Sequence, residues 1–167
     1  MLMGTLIRFK EVFNENLPVA EVLPDLAAAH PARYDGMRIR ELAEQMHRFL
    51  KEHQASELQI RAYDRLPEQG TTPTEAYQHI IRKHTREVFL DDILGEVLLT
   101  MVAPYPPGIP VVMPGERLTE ETRHIVEYLK LLEAFDNEFP GLENEVHGAE
   151  VRFLDGKRRY AIHCLAS

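Results

Sequence analysis

The chain has 167 residues, 44% of them hydrophobic and 28% charged, which suffices for one domain with a real core and a short appendage. Its 27 acidic residues outnumber 19 basic ones, giving a formal charge of −8, so it lacks the basic footprint of a nucleic-acid or anionic-membrane binder. The single cysteine, Cys164, can form no intramolecular disulfide and suits a reducing cytoplasm.

The first part of the chain reads as helical. Leu2, Leu6, Phe9 and Phe13 recur at helical spacing, and the stripe ends near Asn14-Glu15-Asn16 and Pro18. A short helix is expected over 22–29, before His30-Pro31. Ile39, Leu42, Met46, Phe49 and Leu50 define the clearest amphipathic helix, with Glu44 and Arg48 as a favourable pair on its wet side. A shorter helix over 58–66 stops at Pro67. Thr72-Pro73-Thr74-Glu75 carries the signature of a capping box, opening a helix to about Lys83.

Extended patterns dominate from residue 86. Residues 87–90 read as a short strand, 96–102 as a longer buried one, and 109–113 as a brief extended piece. Thr119 is the expected cap of a long helix whose apolar face comprises Ile125, Tyr128, Leu129, Leu132, Phe135 and Phe139, ending at Pro140-Gly141. Two strands, 149–154 and 160–165, flank Asp155-Gly156, a hairpin turn. The fold class is therefore α+β. A helical lead-in over 1–70 precedes a C-terminal domain over 71–167, in which a mixed β-sheet is packed by helices, with the boundary in the 69–72 turn.

Most catalytic chemistries are poorly supplied. Ser56 and Ser167 are the two serines, neither in a nucleophile elbow, and the glycines form neither a P-loop nor a dinucleotide fingerprint. Cys164 lies in an apolar strand and reads as a structural thiol. His79 and His84 are five apart, a spacing that separates them on a helix, so no metal site is expected. Asp91-Asp92 and Glu120-Glu121 read as solvated surface. The uncharged run 97–115 approaches membrane-spanning length, but Pro104, Pro106, Pro107, Pro110 and Pro114 exclude a spanning helix.

One segment stands apart. Pro104-Tyr105-Pro106-Pro107-Gly108-Ile109-Pro110 places a tyrosine among prolines directly after a buried strand. Such a loop is stiff, and stiff loops at strand ends present functional side chains. The same tyrosine would also serve to plug a turn.

This segment, followed by Met113-Pro114-Gly115-Glu116, resembles the C-terminal domain of the bacterial ornithine/lysine/arginine decarboxylases. Phe139-Pro140-Gly141, Glu145 and His147-Gly148 resemble a later motif of that family, and Val22-Leu23-Pro24-Asp25-Leu26 with Tyr34-Asp35-Gly36-Met37 resemble the stretch leading into the domain. The resemblance implies a C-terminal fragment of a cytoplasmic lyase that depends on pyridoxal phosphate and decarboxylates arginine or lysine to agmatine or cadaverine.

It further implies that the cofactor, its Schiff-base lysine in a Ser-x-His-Lys setting and the catalytic residues belong to a core outside this chain. None of Lys10, Lys51, Lys83, Lys130 and Lys157 has that setting. Cofactor-binding, catalytic and metal residues are accordingly expected to be absent here. Tyr105, with Glu116 and His147 in support, would face the substrate channel. The implied partners are the missing core and a second subunit, in a homo-oligomer, with no nucleic acid and no membrane. A free-standing assembly module with the same domain is the second reading, and a small enzyme using surface carboxylates the third.

Overall fold

A computed structural model describes the backbone of residues 2–166 and the side chains of residues 7–166. Among the described residues no helix is long and apolar enough to cross a membrane. The chain divides into two compact units. The first runs to His53 and includes Phe139–Leu142; the second is Gln54–Glu138 with the residues from Glu143 onward. The 69–72 turn thus falls inside the second unit, because the short strand β1 (Glu68–Gln69) pairs with β4 (Glu116–Arg117).

The first unit is helical. Helix α1 (Leu2–Glu15) bears the stripe read from the sequence; Leu2 and Leu6 lie outside the described side chains, and Phe9 and Phe13 stack at 6.1 Å. The single helix expected over 22–29 is instead part of three short ones, α2 (Val19–Val22), α3 (Pro24–Ala29) and α4 (Pro31–Tyr34). Pro24 and Pro31 cannot continue the preceding turn, but each sits well in the first turn of a new helix. Helix α5 (Ile39–Glu52) follows as expected. Val19, Tyr34 and Leu42 are buried here, and the Tyr34 hydroxyl donates to Pro140 O at 2.8 Å. Phe49 meets Phe139 edge-on at 5.7 Å.

In the second unit, α6 (Ala55–Arg61) packs on α8 (Arg123–Glu138). Between them in sequence, α7 (Pro73–Ile81) opens with the expected capping box: Thr72 Oγ1 accepts from Glu75 N, and Glu75 Oε2 accepts from Thr72 N at 3.0 Å. At α8 the cap differs from expectation. A 3-10 turn, Glu120–Thr122, comes first, and Thr122 Oγ1 accepts from Thr119 N at 2.9 Å, so the downstream hydroxyl does the capping.

All described strand pairs are antiparallel, in three small sheets rather than one mixed sheet. The largest has the order β2 (Thr85–Phe89), β7 (Lys157–Leu165), β6 (Ala149–Leu154). Asp155 (φ 51°) and Gly156 (φ 76°) form its two-residue hairpin turn, both left-handed as a primed turn requires. β3 (Ala103–Tyr105) pairs with β5 (Glu145–His147), a strand absent from the sequence reading.

The buried run 96–102 forms only isolated bridges, at Val97, Leu98 and Val102. Its backbone partners alternate: Leu98 N donates to Glu116 O at 2.8 Å, whereas Leu99 N donates to His163 O at 2.9 Å. Apolar continuity identified burial at Val97, Leu98, Leu99 and Val102, although Met101 within the run is exposed. It could not identify a regular ladder, because two different neighbours share the hydrogen bonds.

Hydrogen bonds from the Thr72 amide, then from the Thr71 and Thr72 hydroxyls, hold the Glu75 carboxyl down at about 2 from an ordinary 4.5. A carboxyl depressed by folding contributes stability above its unfolded value and loses it as pH falls through the folded one. The melting temperature should therefore decline from pH 4.5 to 2, and Glu75→Gln should flatten that decline. An unchanged slope in thermal scans across this window would contradict the assignment.

Candidate functional site

The proline-rich loop leaves β3 at Tyr105. Gly108 N closes the turn onto Pro104 O at 2.9 Å, and Gly108 has φ +80°. A Cβ at 108 would stand 3.0 Å from Tyr105 Cδ2, so glycine lets the phenol lie against its own loop. Beyond the turn, the Tyr63 hydroxyl donates to Ile109 O at 3.0 Å. Tyr105 remains 55% exposed and Ile109 53%. The ring is thus presented rather than used as a plug, held by a loop tied at both ends.

Strand register gathers the site. Ala103 lies opposite His147 and Tyr105 opposite Glu145. Residues facing each other across an antiparallel pair, and those two apart along a strand, share a face. Tyr105, Glu145 and His147 therefore lie on one face of the β3–β5 ribbon. His147 Nε2 is 3.2 Å from Glu145 Oε1, and both side chains are exposed. Gly148 closes β5 at φ +84°, where a Cβ would fall 1.8 Å from Met101 O; only glycine permits that approach.

Of the residues anticipated from sequence, Tyr105 and His147 share a face of this ribbon. Glu116 does not join them. It lies in β4, and its Oε2 accepts from Met113 N at 2.6 Å, holding the Met113-Pro114-Gly115-Glu116 turn. Glu145 is the member that motif reading quoted without assigning a role; the acid two residues before a histidine, alternating along a strand, was the available signal.

Two other clusters have structural explanations. Glu87, Glu150 and His163 bring three ligand-type atoms together across β2, β6 and β7. The Arg152 guanidinium already bridges the carboxylates, with Nη2 at 2.6 Å from Glu87 Oε1 and a further bond to Glu150. It supplies the positive charge that a cation would otherwise bring. His79 and His84 have rings 6.1 Å apart, contrary to the separation expected from their spacing. The reason is that α7 ends at Ile81 and Lys83 adopts φ 58°, so the chain turns back and His84 N donates to His79 O.

The geometry so far defines a small α+β domain that presents an aromatic ring, a carboxylate and an imidazole on one rigid ribbon. The family description "Orn/Lys/Arg decarboxylase, C-terminal domain" matches residues 56–166. Inducible lysine decarboxylase of Escherichia coli K12 is 41% identical over 98% of this chain, and biodegradative arginine decarboxylase of the same strain 36% over 93%. Lysine decarboxylase A from Pseudomonas aeruginosa superposes with a TM-score of 0.90 at 37% identity, over 98% of this chain and 22% of that one. The chain belongs to the ornithine/lysine/arginine decarboxylase C-terminal domain family. It spans 22% of the length of the lysine decarboxylase from E. coli and 20% of the arginine decarboxylase.

Cys164 is fully buried, and burial, followed by the nearby Glu96 charge, pushes its thiol up to about 12. A thiol reagent at about pH 8 should leave the folded chain unmodified and label one cysteine after denaturation. Rapid labelling of the native protein would refute a structural thiol.

Proposed function

We propose that this chain is the C-terminal part of a pyridoxal-phosphate-dependent decarboxylase of basic α-amino acids, where its β3–β5 ribbon lines the route taken by substrate. The supporting observation is the shared face of Tyr105, Glu145 and His147, on the motifs that match the family. Relatives acting on lysine, arginine and ornithine all align with it. These substrates share an aliphatic stem ending in a cation. Tyr105 offers an apolar face for the stem, a quadrupole for the cation and a hydroxyl to hydrogen-bond a polar group of the substrate, and Glu145 offers the opposite charge. The Pro-rich loop and the Glu116 turn hold these groups in place, which reduces the freedom lost when substrate arrives.

The cofactor does not fit within this chain. Lys10, Lys51, Lys83 and Lys157 are exposed, and Lys130 Nζ is 2.5 Å from Asp91 Oδ1, engaged in an ion pair. A nucleophilic lysine needs a desolvated setting that lowers its pKa. The electron-accepting chemistry is therefore assigned to the remainder of the enzyme, and the cytoplasmic location and homo-oligomer of this reading rest on the family resemblance.

In the full-length enzyme, Tyr105→Phe should lower kcat/KM by a factor corresponding to one hydrogen bond, about 0.5–1.5 kcal/mol. Tyr105→Ala should cost more, and Glu145→Gln should raise KM most for the substrate with the strongest distal charge contact, each with the folded state intact. The isolated chain mixed with pyridoxal phosphate and borohydride should show no single stoichiometric lysine adduct and no turnover. Unchanged kcat/KM in a destabilised Tyr105→Ala enzyme would reduce the tyrosine to a packing role. A specific adduct with turnover in the isolated chain would overturn the fragment reading.

A further inference from the structure

The loop that follows Tyr105 has few means of holding itself. Pro106, Pro107 and Pro110 carry no N–H, so its backbone can donate few hydrogen bonds of its own. Gly108 N is committed to Pro104 O, and the next tie, Val111 N to Val102 O, comes only beyond Pro110. Prolines stiffen the loop internally without fixing its inclination to the rest of the domain. The outside tether is Tyr63. Its hydroxyl donates to Ile109 O at 3.0 Å, and among the described residues no other side chain hydrogen-bonds the backbone of 105–110. The tether starts from firm ground: Tyr63 N closes the end of α6 onto Ile60 O at 3.0 Å, the neighbouring Ala62 is fully buried, and α6 packs on the long helix α8. Burial pushes the Tyr63 phenol above its ordinary value, so it is protonated and donating at neutral pH.

We infer that Tyr63 is a positioning residue for Tyr105, acting through the Ile109 carbonyl and Gly108. The β3–β5 pairing holds the Tyr105 backbone, but its hydroxyl makes no hydrogen bond among the described residues, so the direction of the ring is set by what it leans on. It leans on Gly108, where a Cβ would stand 3.0 Å from Tyr105 Cδ2. The tethered carbonyl belongs to the next residue along. Without the Tyr63 hydroxyl, Gly108 can draw away from the ring, which then samples more rotamers before a ligand arrives and loses that freedom on binding. The effect falls on substrate binding rather than on the chemical step, and this part of the inference rests on the reading that the ribbon meets substrate.

Tyr63→Phe keeps the ring and its packing and removes only the hydroxyl. In the full-length enzyme it should raise KM by about two- to tenfold, the worth of one hydrogen bond, with kcat unchanged within about twofold. In a Tyr105→Ala enzyme the same change should be silent, because the ring that the tether positions is gone. A residue that merely packs α6 would act equally in both backgrounds. An equal rise in KM in both therefore overturns the inference, and so does an unchanged KM in the single variant. Hydrogen exchange without substrate separates the tether from the substrate reading: Tyr63→Phe should speed exchange of the 108–112 amides by about two- to tenfold. Faster exchange together with unchanged kcat/KM in Tyr105→Ala would refute the substrate reading and uphold the tether. Unaltered exchange would refute the tether whatever the kinetics.

Discussion

Strand β2 pairs with β7 only from Ala161 onward, so the backbone of residues 158–160 has no strand partner on that side, and helix α8 supplies the missing bonds with polar side chains. Asn137 Oδ1 accepts from Arg158 N at 2.8 Å while its amide donates to Arg158 O at 2.9 Å, and Glu133 Oε2 accepts from Tyr160 N at 2.5 Å. At the centre is Asp136, fully buried. Its Oδ2 accepts from the Tyr160 hydroxyl at 2.5 Å, and its Oδ1 accepts from both Asn144 N and Asn144 Nδ2 at 2.8 Å. A carboxylate out of water is tolerable only when such bonds replace its hydration. Burial and this carboxylate together push the Tyr160 phenol well above its usual range.

The position of Asp136 explains the ribbon. Asn144 directly precedes β5, so fixing its amide and side chain to α8 sets where β5 starts and thereby its register against β3. That register is what places Glu145 opposite Tyr105 and His147 opposite Ala103. Slipping by one residue would turn the carboxylate and imidazole to the other side. A buried structural acid thus governs the geometry of the exposed face that carries Tyr105, Glu145 and His147.

The parts legible in the sequence were those with a local physical signature. The Thr72–Glu75 box, the Asp155-Gly156 turn, α5 and the apolar stripe of α8 all announce themselves within a few residues, and so does the stiffness around Tyr105. Pro31 was legible as a terminator and Pro73 as an opener, but Pro24 was read inside the 22–29 helix; that it starts α3, and Pro31 starts α4, emerges only from the structure. What escaped depended on distant partners. The register of β5 rests on Asn144 meeting Asp136, and periodicity places Asp136 on the same side of α8 as Leu129 and Leu132 without revealing that Tyr160 will meet it. Helical spacing separated His79 from His84 because nothing local marked Lys83 as the left-handed residue that turns the chain. Glu116 looked like a member of the site from its motif, yet its acceptor bond to Met113 N commits it to the turn. Family resemblance recovered the domain's identity where local physics could not, and geometry then sorted which motif residues converge.

Amide hydrogen exchange on Asp136→Ala, with Tyr160→Phe as reference, tests the dependence of the ribbon on this carboxylate most directly. Removing Asp136 leaves the Asn144 donors and the Tyr160 hydroxyl without their acceptor and should cost about 3 kcal/mol or more, against about 1–2 for Tyr160→Phe. Protection should fall selectively over residues 144–147, with the β6–β7 hairpin retaining its own. Full protection at 144–147 in a folded Asp136→Ala chain would show that β5 finds its register without the buried acid, and would contradict the account.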